Sequence, residues 1–200
     1  TINQIFEVTT KPLIFDADTG GKIEHLPSKI NALERLGVSG VIIEDKTGSK
    51  KNSLYGTSVA QFQEDPGDFS NKIKLCKSSQ ITNDFFIFAR IESFILGKDI
   101  NDAIERALMY IEAGADGLMI HDWIKGPKNI FKFCEIIRKK RFTGTIIAVP
   151  TSYNQVKEKE LIDNGINVVI YANHLLRASF PAMENVAKSI LKNTLNVIMI

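Results

Sequence analysis

FFIFARIESFILGKDINDAIERALMYIEAGADGLMIHD, residues 85–122, is the stretch that decides the fold. Its opening, Phe85 to Glu92, is apolar almost throughout and rich in aromatic and β-branched side chains, the pattern of a strand covered on both faces. Residues 101–113 then carry apolar side chains three and four apart, which predicts an amphipathic helix, closed by Gly114. A second buried strand, Gly117 to Asp122, follows at once. Strand, helix and strand in that order make a parallel unit with a right-handed crossover. Both strands finish in polar groups, Arg90 and Glu92 on one, His121 and Asp122 on the other.

The same order repeats outward in both directions. Upstream, Pro12 to Asp18 (PLIFDAD) leads to a helix expected over 27–36 with Gly37 as its C-cap. Gly40 to Asp45 (GVIIED) then leads through a long polar loop, 46–57, to a helix over 68–79. Downstream, Thr145 to Pro150 (TIIAVP) and Asn167 to Asn173 (NVVIYAN) are further strands, with helices near 127–141 and 155–164 between strands and a last amphipathic helix over 175–192. Such a chain forms either an open doubly wound sheet or a closed barrel. Five of the six strands deliver polar groups at or past their C-terminal ends: Asp16 and Asp18, Glu44 and Asp45, Arg90 and Glu92, His121 and Asp122, Asn173 and His174. That rim is where a β/α barrel keeps its chemistry.

The expected fold is therefore α/β, a (β/α)8 TIM-type barrel. A closed barrel of eight strands takes about 250 residues, against six units in these 200. TINQIFEV at the start reads as the end of a helix leading into Pro12, so the first two units are expected before Thr1 and the visible strands are the third to the eighth. Six strands alone would leave two long apolar edges unpaired, an aggregation hazard. Residues 1–200 accordingly read as a single barrel domain truncated at its N-terminus, part of a longer polypeptide.

Composition narrows the function classes. With 44% hydrophobic and 24% charged residues and a formal charge of +2, the chain reads as a soluble domain with a substantial core. Its densest basic run, Arg138 to Arg141, falls at the end of a predicted helix, where it complements the helix dipole; nucleic acid is not an expected partner. Only two cysteines occur, Cys76 and Cys134, each among apolar residues on a predicted helix, so two buried thiols in a reducing compartment are expected rather than a disulfide framework or a zinc site. No apolar run approaches the roughly 18 residues of a membrane span, and no secretory pattern opens the chain, which makes the cytoplasm the default location.

The candidate chemistry lies in the acids. Asp16 and Asp18 are two apart on a strand and project to one side, while Glu44 ends the neighbouring strand in a comparable place. Three converging carboxylates call for a cation, and hard oxygen ligands suit Mg²⁺. The competing reading makes one or more of them a helix cap or a partner for lysine. Arg90 and His121, at the next two strand ends, can clamp a phosphate or carboxylate, although a lone His121 would otherwise read as a packing residue. His174 opens a helix and is expected to cap or pack; Asn173 can form a polar wall. The loop DKTGSKKNSLYG at 45–56, without apolar anchors, reads either as a mobile flap carrying Lys50 and Asn52 to an anionic substrate or as a solvated surface loop.

Seven segments in order carry a resemblance: DADTG at 16–20, EDK at 44–46, KKNSL at 50–54, ARIES at 89–93, GADGLMIH at 114–121, VPTS at 149–152 and YANHLLRA at 171–178. Together they resemble the phosphoenolpyruvate mutase family, of the isocitrate lyase and phosphoenolpyruvate mutase superfamily, from Pro12 to about Lys192. The resemblance implies a Mg²⁺-dependent barrel that rearranges the small molecule phosphoenolpyruvate to phosphonopyruvate. It further implies that Asp16 holds the metal most directly, with Asp18 and Glu44 acting largely through bound water. Arg90 and His121 would position phosphoryl and carboxylate groups, and Lys50, Asn52 and Ser53 would come from a gating loop.

By the same resemblance the molecule is a homo-dimer or homo-tetramer, with the helix after His174 at the position of a terminal exchange. Mutases resemble one another in Lys-x-Asn-Ser, against Lys-x-Thr-Ser in the related phosphonopyruvate hydrolases; this chain reads Lys50-Lys51-Asn52-Ser53. The lyase branch's Lys-Lys-Cys-Gly-His type segment has no counterpart after Glu44. Gly20-Gly21-Lys22 stands where the family usually has Gly-Tyr-Gly, and the family's Ser-Gly-Leu segment and an N-terminal aspartate do not occur in these residues. Two alternatives stay open: a hydrolase, and a non-catalytic incomplete barrel serving as a binding or assembly domain.

Overall fold

Six parallel strands, which follow one another across the sheet in chain order, realise the alternation read from the sequence. A computed structural model of the chain describes residues 1–48 and 51–193, apart from the side chains of Leu54 and Asn193. After a short helix, α1 (Ile2–Phe6), come β1 (Ile14–Asp16), α2 (Leu26–Arg35) and β2 (Gly40–Glu44). A small hairpin, β3 (Lys46–Thr47) with β4 (Phe62–Gln63), stands apart from the main sheet. The remaining units are α3 (Pro66–Ser79), β5 (Phe86–Ile91), α4 (Ile100–Glu112), β6 (Gly117–Ile120), α5 (Lys128–Lys139), β7 (Thr145–Ala148), α6 (Glu158–Asp163), β8 (Val168–Val169) and α7 (His174–Asn193). The sheet curls into a half-barrel. No helix among the described residues is long and apolar enough to cross a membrane.

Local chemistry sets the helix starts. Asp65 caps α3, its carboxylate accepting from the backbone N–H of Gly67 at 2.8 Å and Asp68 at 3.1 Å, with Pro66 at the first turn where no N–H is needed. Asp99 caps α4 in the same way through Asn101 and Asp102, both at 3.0 Å. Each helix therefore begins a residue or two earlier than the apolar spacing alone implies.

Two core layers follow from the strand period. Residues on one face of β2, β5 and β6 pack under the helices: Val41 and Ile43, Ile87 and Ala89, Leu118 and Ile120, joined there by Phe69, Tyr110 and Phe133. The alternate residues Ile42, Phe88, Met119 and Ile147, with Val149, form a separate cluster on the concave face. Register aligns them, Ile42 opposite Phe88 and Glu44 opposite Arg90. One pleat above this apolar layer, on the same face, come Glu44, Arg90 and His121. The fold thus sets charges directly over hydrocarbon.

Two expectations need correction at the sheet's margins. The last strand, expected over 167–173, is only Val168–Val169. The first, expected over 12–18 and covered on both faces, is only Ile14–Asp16, with Ile14 and Phe15 36% and 37% exposed. Among the described residues both strands pair on one side only, so nothing there extends their ladders. The 46–57 loop is likewise not structureless: β3 and β4 pair antiparallel around it, and Ser53–Ser58 forms tight 3-10 turns.

Candidate active site

A cavity of about 730 Å³ opens at the C-terminal ends of the strands, lined by Asp16, Glu44, Arg90, His121, Lys51, Asn52, Ser53, Thr151 and Asn173 above Ile42, Met119 and Val149. The rim expected from the sequence is therefore one place. Asp16 is exposed to it at the end of β1, whereas Glu44 is buried. Lys50 lies outside the described residues. His174 sits at the start of α7, its ring edge-on to Tyr171 at 5.2 Å, a packing contact away from the cavity wall.

Asp18 does not follow the two-residue alternation expected for it. β1 stops at Asp16, whose Oδ1 accepts the Asp18 N–H at 3.0 Å, and this tight turn holds Asp18 in the left-handed region at φ 52. The Asp18 carbonyl accepts the Glu44 N–H at 2.7 Å, and Asp18 lines a neighbouring cavity of about 360 Å³ against α2. Asp16 borders both cavities.

The floor is a balanced quartet of buried charges. Arg90 donates through Nε to Glu92, stands 3.4 Å from Glu44 through Nη1, and reaches Ser53 Oγ at 2.8 Å through Nη2. Lys46, 4% exposed, lies 3.2 Å from Glu92 and 3.6 Å from Glu44 and donates to Ser53 Oγ at 3.2 Å. Ser53 in turn donates to Glu92 at 3.0 Å. Burial alone would push the Glu92 carboxyl up, but Arg90, Lys46 and the Ser53 hydrogen bond hold it below the ordinary value. Burial opposes the Arg90 charge too, and Glu92, Glu44 and Asp16 more than offset it. Sequence reading missed Lys46 as a site residue; its position two past Glu44, directly after a buried strand, was the available signal.

His121 is buried beside this quartet, with Nδ1 unpartnered among the described residues. Burial, then the positive charges of Arg90 and Lys46, lower its pKa to about 4 against the pull of Glu92, so it is neutral at pH 7. The unfolded chain takes up this proton near pH 6.5 and the folded one only near pH 4, so His121 erodes stability as pH falls through that window. Between pH 7 and pH 5 the loss should be about 2 kcal/mol. Denaturant unfolding of wild type against His121→Asn at both pH values isolates this contribution; an unchanged difference between the two proteins would contradict it.

Behind the quartet, Asp45 anchors the β3–β4 hairpin. It is fully buried, accepts from Tyr110 at 2.7 Å, Gln63 at 2.9 Å and the Glu92 N–H at 2.9 Å, and faces Arg106 at 3.3 Å. Burial pushes its carboxyl up to about 7 against those donors, opposite in pH sense to His121. Arg106 also donates to the Glu64 carbonyl at 2.9 Å, so one guanidinium from α4 grips both stems of the 46–63 segment. Gln63, Arg106 and Tyr110 could not be read from the sequence as partners of Asp45, because they come from distant elements. Cys76 and Cys134 are free and buried, their thiols pushed up to about 12 by burial, which leaves them inert.

Hard oxygen donors are what the cavity offers a metal. Among the described residues no three His, Cys, Asp or Glu side chains gather closely enough to hold an ion by protein ligands alone. An exposed carboxylate at Asp16 with Glu44 in the same wall fits instead a cation that retains much of its water, as Mg²⁺ does.

Comparison with known proteins identifies the family and the fold. The family model described as phosphoenolpyruvate phosphomutase matches residues 1–191. A phosphoenolpyruvate phosphomutase of Tetrahymena pyriformis is 35% identical over 183 residues, covering 91% of this chain and 60% of that protein. The chain thus spans well under two thirds of that relative's length. The crystal structure of phosphoenolpyruvate phosphomutase from Streptomyces platensis subsp. rosaceus superposes with a TM-score of 0.88 at 31% identity, over 96% of this chain and 66% of that one. A phosphonopyruvate hydrolase solved with oxalate and Mg²⁺ follows at a TM-score of 0.81 and 28% identity, over 98% and 69%. A match along nearly all of the sequence, joined to the same curled sheet, makes this chain a member of the phosphoenolpyruvate phosphomutase family.

Proposed function

We propose that the protein to which this chain belongs is a Mg²⁺-dependent phosphoenolpyruvate mutase, an intramolecular phosphotransferase interconverting phosphoenolpyruvate and 3-phosphonopyruvate. In that reaction the bond from phosphorus to the C2 oxygen breaks and a bond from phosphorus to C3 forms, with no atom gained or lost. The observation that carries the reading is the shared cavity of Asp16, Glu44, Arg90, His121, Asn52 and Ser53, in a family member whose loop reads Lys-x-Asn-Ser. The relatives' names, and the oxalate and Mg²⁺ in the phosphonopyruvate hydrolase crystal structure, support the substrate and metal.

Phosphoryl transfer asks a protein mainly for positioning and charge neutralisation. Arg90 supplies a guanidinium held by Glu92 and Glu44, aimed from the floor at an anion. Neutral His121 can donate to a phosphoryl or carboxylate oxygen without adding charge. Asn52 offers an amide from the loop side, and the family resemblance assigns Lys50 a part in the same step. The apolar layer beneath helps keep out the water that would capture the phosphoryl group. Asp16, with Asp18 and Glu44 more remotely, would hold Mg²⁺, which supplies neutralisation of the developing charge.

The reading extends to a closed eight-stranded barrel for the whole protein, supported by the 0.88 TM-score to a longer chain. It extends also to a homo-dimer or homo-tetramer, supported by the exposed Leu175, Leu176, Phe180 and Met183 along α7, and to the cytoplasm, supported by two free thiols. Phosphorus NMR of the full-length protein with phosphonopyruvate and Mg²⁺ should show phosphoenolpyruvate accumulating. Pyruvate with inorganic phosphate would establish the hydrolase instead, and no conversion would favour a binding domain.

A further inference from the structure

Gly56 marks where the segment between β3 and β4 comes to rest. Its backbone, at φ 51 and ψ −131, lies in a region closed to residues with a side chain. A Cβ built there would stand 2.5, 2.7 and 2.8 Å from Cδ2, Cε2 and Cγ of Trp123. The main chain therefore lies flat against the indole, with no space for a methyl group between them. Its carbonyl accepts from Gln61 Nε2 at 3.1 Å. Three residues earlier, Ser53 is bound into the charged floor through Arg90, Lys46 and Glu92.

Trp123 is held on a braced loop. Asp122 caps its own turn through the Ile124 N–H at 3.0 Å, accepts from Asn129 of α5 at 2.9 Å, and through its carbonyl from Ser152 at 2.6 Å. His121, in the cavity wall, is two residues away on the same loop. Trp123 is 38% exposed, too much for a core anchor and consistent with a surface that another element covers in part.

We infer that Trp123 is a positioning residue: its indole is the seat for the backbone at Gly56, and seating fixes the 51–58 segment over the cavity in register with His121. This rests on the proposed reading of that cavity as the site of phosphoryl transfer. The polar latch at Ser53 sets the segment's depth, and the indole sets its lateral placement. A misplacement of about 1 Å at a reacting group costs about 100-fold in rate.

Two readouts keep the seat separate from the reaction. In the full-length protein without substrate, Gly56→Ala should red-shift the Trp123 emission and raise its quenching by acrylamide. This chain contains one tryptophan, and subtraction of the Trp123→Phe spectrum isolates its signal from any others in the longer protein. With phosphonopyruvate and Mg²⁺, Trp123→Ala should lose about 10- to 100-fold in kcat. Trp123→Phe should retain most activity, and Gly56→Ala with Trp123→Ala together should be no worse than the poorer single variant. Unchanged emission and quenching in Gly56→Ala, or wild-type kcat and KM in Trp123→Ala, would overturn the inference. Seating seen by fluorescence with no turnover in the wild type would instead count against the reaction.

Discussion

Arg90→Met should destabilise the folded protein by about 3–5 kcal/mol, the range for removing one partner of a buried ion pair. This loss is independent of any activity. Glu92 is wholly buried and Glu44 nearly so, and with Arg90 gone only Lys46 remains to compensate two carboxylates. One guanidinium serves Glu92, Glu44 and Ser53 from three different nitrogens, so Arg90→Lys restores the charge without the fork and should recover only part of the loss. Denaturant midpoints at pH 7 with unchanged slopes measure it. A midpoint for Arg90→Met within error of wild type would mean the quartet is not coupled as its distances indicate. Turnover of phosphonopyruvate should vanish with either change, since the same group faces the cavity.

Asp16→Ala should have the opposite profile: little effect on stability, and loss of Mg²⁺-dependent turnover by a factor of about 1,000 or more. Asp16 is exposed at the end of β1, and truncation opens no cavity in the core. Its carboxylate accepts the Asp18 N–H, so Asp16→Asn preserves that turn while removing the charge, and separates the two roles. Activity of either variant within ten-fold of wild type at saturating Mg²⁺ would remove Asp16 from the metal assignment. The thermal midpoint should shift by only a few degrees.

These two profiles reflect what was legible in the sequence. Apolar runs alternating with amphipathic stretches, and polar residues at run ends, are local patterns, so the parallel order and the rim could be read directly. Parity carried further still: Ile42 with Glu44, Phe88 with Arg90 and Met119 with His121 are each two apart, and each pair shares the concave face. The rule failed where the strand ended. Asp18 obeys a turn closed by its neighbour's carboxylate, and local hydrogen bonding there outweighs alternation. Lys46, Arg106 and Tyr110 were missed for another reason. A buried lysine or arginine cannot be told from a solvated one until partners distant in sequence are brought to it. Trp123 belongs with these, since only the folded loop sets Gly56 upon it.

Lys46 and Arg90 against Glu44 and Glu92 sum to zero, and that cancellation has a consequence for molecular discrimination. A neutral group of this kind casts little field beyond its own surroundings, so the quartet itself adds no general pull on small anions. Choice among them falls to contact: the direction of each donor, and whether a candidate's oxygens match the fork already set by the two acids beneath it.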